Sequence, residues 1–357
     1  MSEGRPVGAV MKALMYMGPK QLELREVPIP ETGDDGILVR VRAATTCGTD
    51  VKTYLRGHPK MPPPALLGHE FAGDIVKVGR AVERFRPGMR VVAHNSAPCG
   101  ECFYCKHAQG NLCENLVLNF GAFAEYVAVP GPIVRLNTYE LPEGFPYERA
   151  ALMEPLSTVV HGQGQIRIQP GESTAIIGAG PIGLMHAQMA RVRGASQIIV
   201  VDLVDERLRV AADLGATRTI NGAREDAGDV VRQLAGGRGV DVAIEATGTS
   251  EGWMQALEVC RRGGRVLWFG GLKSGAKVDV DAEKVHYGEV SLFGTFHSTP
   301  RDVYAAYGLI VGGIVDTAAL ISARLPLGEV EKALEMMSRG EVVKVAIVPD
   351  VGIAPVR

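Results

Sequence analysis

The sequence predicts a two-domain α/β protein, an all-β barrel- or sandwich-like part followed by a doubly wound parallel sheet. Three observations carry this. At 357 residues the chain is longer than one average domain and long enough for two cores. To about position 129 it is a series of short β-type runs broken by Gly and Pro. After Pro155 short apolar runs alternate with helical patterns and turn glycines, as in βαβ units whose parallel sheet is covered on both faces.

Taken in order, the first ten residues, MSEGRPVGAV, are polar with Gly and Pro, so a loose extension is expected before a strand at 12–16. They lack a secretory apolar core, so a cytoplasmic location is expected. Strands are then expected at 22–27, 37–43, 70–78, 90–93 and 122–129, a spacing that suits a partly open barrel or sandwich. Buried strands follow at 174–177, 197–201, 240–245 and 265–269. Cys260 falls in a helical pattern over 253–262 and reads as a small buried apolar residue. Helices at 301–311 and 328–340 precede a final strand at 343–348, expected to return to the first domain. The predicted division is 1–155, 156–299 and a returning segment 300–357.

Composition narrows the function. Hydrophobic residues make up 46% and charged residues 22%, and the formal charge is −2. A nucleic-acid or anionic-membrane surface would need a basic excess. No apolar run approaches the ~20 residues that span a bilayer. Five of the six cysteines lie between positions 47 and 113. Thiols clustered this way in a cytosolic chain suit a metal better than disulfides.

The segment PCGECFYCKHAQGNLC spaces Cys99, Cys102, Cys105 and Cys113 as C-x2-C-x2-C-x7-C. Two-residue gaps let neighbouring thiolates converge on one tetrahedral Zn²⁺, and the longer arm closes the fourth corner. Four thiolates leave no open position, which makes the site structural. An iron–sulfur centre uses similar spacing but usually ends in Cys-Pro, and here Cys113 precedes Glu114.

A second set is dispersed: Cys47 in TTCGTD, His69 and Glu70 in LLGHEFAG, and Glu154 in ALMEPLSTVVHG. Singly, each is as easily packing or a helix start. Further on, AIIGAGPIG sets Gly178, Gly180 and Gly183 as G-x-G-x-x-G between a strand and a helix. In that context backbone amides at a helix N-terminus bind a pyrophosphate. Asp202 ends the next strand, nineteen residues after Gly183. Its carboxylate can accept from ribose hydroxyls and would repel an NADP 2′-phosphate by roughly 1–4 kcal/mol per charge at ~4 Å. Asp205 and Glu206 add to that field, so NAD is the expected cofactor.

The order CGTD, GHE, four-cysteine loop, EP, GAGPIG resembles zinc-containing medium-chain alcohol dehydrogenases of the sorbitol/threonine branch, over nearly the whole chain from Met11. The resemblance implies a GroES-like barrel, a Rossmann domain and two Zn²⁺ per chain, one catalytic and one structural. It makes Cys47 and His69 catalytic-zinc ligands and puts Glu70 and Glu154 in the zinc environment, with Glu70 ahead as direct ligand. Thr49 is placed like the hydroxyl that begins the family's proton relay, although it also suits a turn cap. Arg207 matches an arginine near the adenosine. Pro181 and Ile182 in the glycine loop, Phe269, Gly270 and Gly271, and Thr295, Phe296 and His297 should line the cofactor. The family also implies a homodimer or homotetramer through a sheet edge, for which 290–293 is the candidate.

Several positions depart from that pattern. A histidine at the solvent end of the relay is replaced by Lys52, which could carry protons or simply be solvated. Thr53 and His297 stand where sorbitol dehydrogenases have a tyrosine and an arginine, which argues against sorbitol itself. His94 lies near where threonine dehydrogenases place a functional histidine. The expected activity is therefore reversible oxidation of a secondary alcohol in a polyol, sugar or hydroxy-amino acid. The alternatives are an L-threonine 3-dehydrogenase-type activity, a zinc-stabilised nucleotide-binding protein without dehydrogenase activity, and zinc-free quinone reduction.

Overall fold

The computed structural model describes residues 10–349, so most of the expected N-terminal extension lies outside the described residues. The chain divides into two compact units. Of the described residues, one unit holds 10–155, 299–312 and 320–349, and the other holds 156–298 and 313–319.

The first unit is β-rich. The strands Thr138–Glu140, Arg90–Ala93, Glu70–Val78, Ile37–Thr45, Lys344–Val348 and Ile321–Pro326 lie side by side in that order, and Tyr126–Val129 also pairs with Ile37–Thr45. The last strand among the described residues, Lys344–Val348, pairs here, with Ala346 opposite Thr45 and Ile347 opposite Ala44. A smaller sheet orders Gln21–Pro28, Val10–Gly18 and Ala65–Leu66. The core gathers Tyr16, Ile37, Phe71, Phe123 and Ile347, each at most 1% exposed. The strand expected at 122–129 is shorter, Tyr126–Val129. Residues 122–124 bond sideways instead. Ala122 and Phe123 donate to Gly68 and Leu67, and Ala124 bridges Ala13, so no single partner strand runs alongside them.

The second unit is a six-stranded parallel sheet in the order Arg218–Asn221, Gln197–Asp202, Ser173–Ile177, Val240–Glu245, Cys260–Trp268, Ser291–Gly294. Strand order reverses at Ser173–Ile177, the switch point where open α/β sheets bind ligands. The helix expected over 253–262 stops at Val259, and Cys260 opens a strand. The run Arg-Arg-Gly-Gly ends the helix. Gly263 takes φ +67, and a Cβ on Gly264 would lie 2.5 Å from the Cys260 sulfur. Cys260 itself is buried, as expected.

Candidate active site

Cys47 ends up at the mouth of a short helix, Gly48–Arg56, for a local reason. It is the N-cap residue, its sulfur accepts from the Thr49 amide at 3.5 Å, and its own amide donates to Asp50 Oδ2 at 2.9 Å. This reciprocal capping box satisfies donors that a helix start leaves orphaned. The other oxygen of Asp50 reaches out of the cap to lie 3.3 Å from His69 Nδ1. His69 and Glu70 sit where Glu70–Val78 begins, opposite Ile37–Thr45, with Glu70 paired to Thr45. Cys47, His69 and Glu70 thereby offer ligand atoms within 4.8 Å of one another.

The pocket is electrostatically poised for a cation. His69 and Glu70 are 4% and 0% exposed. Burial opposes charge on His69, yet Asp50 and Cys47 outweigh it and hold the imidazole well above its ordinary value. Burial also opposes charge on Lys344, and Glu70, Cys47 and Glu154 overcome it. Glu154, in the first turn of the helix Met153–Ile166, is pushed up to about 7 by burial, with His69 and Lys344 opposing and Glu70 and Asp50 adding. Glu70 Oε1 is buried with no hydrogen-bond partner. Soft and borderline donors around an unsatisfied carboxylate oxygen fit Zn²⁺. Glu154 is close enough to feel these charges but stands outside the three-residue cluster.

Thr49 and Lys52 follow Cys47 on the same helix, Thr49 half-buried and Lys52 exposed. Thr53 is fully buried, with its hydroxyl donating to the Thr49 carbonyl at 2.8 Å. His94 is buried and its Nδ1 accepts from the Ser96 amide at 3.2 Å.

The four loop cysteines form a separate cluster. Their sulfurs stand 3.5 Å (Cys102–Cys105), 3.9 Å (Cys99–Cys105) and 3.9 Å (Cys102–Cys113) apart. A Zn–S bond of about 2.3 Å puts tetrahedral thiolates about 3.8 Å apart, whereas a disulfide requires about 2.05 Å. Backbone amides aim at the sulfurs, Cys99 at Cys113 and Glu101 at Cys99, as thiolates require. The amides of Glu101 and Cys102 pull Cys99 down to about 6, while burial pushes Cys105 up to about 12.

In the second unit, Gly178 follows the strand Ser173–Ile177, and Gly180 is the N-cap of the helix Pro181–Val192, which carries Pro181, Ile182 and Gly183. Gly178 takes φ +101, and a Cβ on Gly183 would stand 1.8 Å from the Gly178 carbonyl oxygen, so no larger residue closes this turn. Asp202 is gripped by three amides: Ala179 at 2.6 Å on Oδ2, Leu203 at 2.8 Å and Val204 at 3.0 Å on Oδ1. Arg207 lies on the helix Asp205–Asp213 just beyond. Phe269, Gly270 and Gly271 follow the fifth strand, and Thr295, Phe296 and His297 follow the sixth, so these groups share the C-terminal edge of one sheet. His297 adopts φ +60, an unusual conformation for a non-glycine.

Sequence reasoning missed three groups. Asp50 had a signal, the C-x-x-D capping spacing. Lys344 had a weaker one, a single charge inside VVKVAIV. Glu245, fully buried at a strand end, accepts from the Gly248 amide at 2.7 Å and the Gly270 amide at 3.1 Å, tying two loop segments together.

Two family models match the chain, "Alcohol dehydrogenase GroES-like domain" over 33–137 and "Zinc-binding dehydrogenase" over 181–311. The sorbitol dehydrogenase of Bacillus subtilis (strain 168) is 33% identical over 353 residues, 95% of this chain and 98% of that one. The L-threonine 3-dehydrogenase of the same organism is 35% identical over 352 residues, covering 95% and 99%. Among solved structures, a protein of Sinorhizobium meliloti 1021 assigned as a zinc-binding dehydrogenase and solved with NADP superposes with a TM-score of 0.88. It is 34% identical and the match covers 96% of this chain and 100% of that one. With both family segments matched along one chain and both cysteine-containing clusters assembled, the protein belongs to the zinc-containing medium-chain alcohol dehydrogenases and is an oxidoreductase.

Proposed function

We propose that the protein oxidises a secondary alcohol in a polyol, sugar or hydroxy-amino acid with NAD, and catalyses the reverse reduction. It would use one zinc at Cys47, His69 and Glu70 and hold another at Cys99, Cys102, Cys105 and Cys113. The observation that carries this reading is the three-residue cluster with its buried His69 and Glu70, which leaves a fourth position to substrate, together with a four-thiolate cluster that leaves none. Zinc at the first cluster would supply Lewis acidity, making a hydroxyl acidic near neutral pH or polarising a carbonyl.

The surrounding residues then have definite tasks. Asp50 faces His69 Nδ1 and so leaves Nε2 as the donor to the metal. Glu154, raised to about 7, can hold water beside the site and exchange a proton near neutrality. Thr49 offers the first hydroxyl to a departing proton, and Lys52, three residues on along the same helix, leads that proton to solvent.

In the second unit, amides at the start of Pro181–Val192 suit a pyrophosphate. The Asp202 carboxylate is held by three amides at the end of the second strand in the sheet, where it would accept from ribose hydroxyls and oppose a 2′-phosphate. NAD is therefore preferred here, although the Sinorhizobium structure contains NADP. Arg207, Phe269–Gly271 (positions 269–271) and positions 295–297 complete the cofactor contacts.

A second reading, L-threonine 3-dehydrogenase activity, is favoured by the 35% identical relative of that name. Thr53 and His297, which differ from sorbitol dehydrogenases, favour a substrate other than sorbitol. No helix among the described residues is long and apolar enough to cross a membrane. A cytoplasmic homodimer or homotetramer fits best, formed through the edge strand Ser291–Gly294, with no nucleic-acid or membrane partner.

The deciding experiment screens polyols, sugar alcohols, L-threonine and simple secondary alcohols for NADH formation, alongside a metal count. Two zinc ions per chain with alcohol-dependent NADH formation support the proposal. One zinc per chain and no turnover with any alcohol would overturn it.

A further inference from the structure

The two oxygens of Glu70 are treated differently by the fold. Oε2 accepts from the Lys344 ammonium and from the Thr45 hydroxyl, both at close range. Oε1 is buried and accepts nothing. Lys344 is 1% exposed, Glu70 and Thr45 are 0% exposed, and the ammonium also donates to the Thr46 carbonyl at 2.7 Å. The lysine arrives from 274 positions along the chain. It opens the strand Lys344–Val348, whose pairing with Thr45 and Ala44 delivers the ammonium to the carboxylate.

Stability does not account for such a pair. Burying two charges is costly before their attraction is counted, and well-packed apolar residues often replace a buried pair without loss. Orientation does account for it. A carboxylate can bind a metal through one oxygen or through both. With Cys47, His69 and both Glu70 oxygens engaged, the four tetrahedral positions would be taken, and water or alcohol could enter only as a fifth ligand.

We propose that Lys344, assisted by Thr45, is a positioning residue that occupies Oε2, so that Glu70 offers only Oε1 and one coordination position stays open for the alcohol. This rests on the assignment of Cys47, His69 and Glu70 as the catalytic metal site. Lys344 touches neither substrate nor metal. Its effect passes through the orientation of one carboxylate.

The test uses the full-length protein with Co²⁺ exchanged for zinc, read as a difference spectrum against Cys47→Ser, which isolates the Cys47 site. Four-coordinate Co²⁺ absorbs strongly in the visible and five-coordinate Co²⁺ weakly. In Lys344→Met the metal should remain bound while the visible band weakens. The kcat should fall roughly 10–100-fold, the range for outer-shell changes, with the KM for NAD unchanged. Lys344→Arg, which keeps the cation, should restore the band. An unchanged band in folded Lys344→Met overturns the lysine's role alone. If the wild type shows no Cys47-dependent Co²⁺ band, the metal assignment itself fails. Should Lys344→Met not fold, Thr45→Val carries the test: a smaller shift of the same sign supports the proposal, and an unchanged band overturns it.

Discussion

Asp50 Oδ1 lies 3.3 Å from His69 Nδ1, while its other oxygen caps the helix that begins at Cys47. One carboxylate therefore caps the helix that begins at the thiol and also lies against the imidazole.

Asp50→Asn should loosen both restraints. An amide can still accept in the cap, but it no longer places a full negative charge on the imidazole. Metal affinity at the Cys47 site should fall roughly 10–100-fold, as for other outer-shell partners of a ligating histidine. Chelator competition measures this, and an unchanged affinity would remove Asp50 from the metal's support.

Cys47→Ser should abolish turnover and lower the metal count by one, because a hydroxyl replaces the thiolate donor. NADH binding, read by fluorescence, should stay near the wild-type value, since the glycine loop and Asp202 belong to the other unit. Retained turnover would take Cys47 out of the mechanism.

Asp202 carries a prediction on cofactor choice. Three amides hold its carboxylate, so it cannot swing aside to admit a 2′-phosphate without abandoning those bonds. Asp202→Ala should narrow the NAD/NADP ratio of kcat/KM by roughly tenfold or more, equivalent to about 1.4 kcal/mol. If the ratio does not change, the ribose assignment is wrong.

His186 carries a pH prediction. It is fully buried on the helix Pro181–Val192, packed edge-on to Phe269 with ring centroids 4.7 Å apart, and burial lowers it to about 3. The unfolded chain protonates this imidazole near 6.5, whereas the folded chain does not until about 3. Between those values the unfolded state binds more protons, so the group's stability contribution is full above 6.5 and declines as pH falls towards 3. Between pH 6.5 and 5 the loss is about 1.6 kcal/mol. Denaturant titrations of His186→Leu should show a flatter decline over that range than the wild type, and parallel curves would contradict this account.

Removal of a loop cysteine should separate structure from chemistry. Cys105→Ser leaves three thiolates for a tetrahedral ion, so the metal count should fall by one and the loop 98–113 should become protease-sensitive. The visible Co²⁺ band that depends on Cys47 should persist. Its disappearance would mean that the two clusters are not independent.

Much of this protein was already determined by sequence. Composition and period separated a β-rich first part from a βαβ second part, because side-chain alternation and turn glycines are local properties. The four loop cysteines and the glycine loop were legible for the same reason: their partners lie within a few residues, and spacing alone decides whether they can converge. Tertiary structure alone decided which groups surround the dispersed cluster. It brought Lys344 across 274 positions to Glu70, and it set Glu154 within reach of the charges of His69 and Glu70 without joining their cluster. It also split the predicted helix at Cys260 and shortened the strand before Val129. Strand pairing fixes such relationships, and the pairing of the last strand with Ile37–Thr45 depends on the whole chain having folded between them.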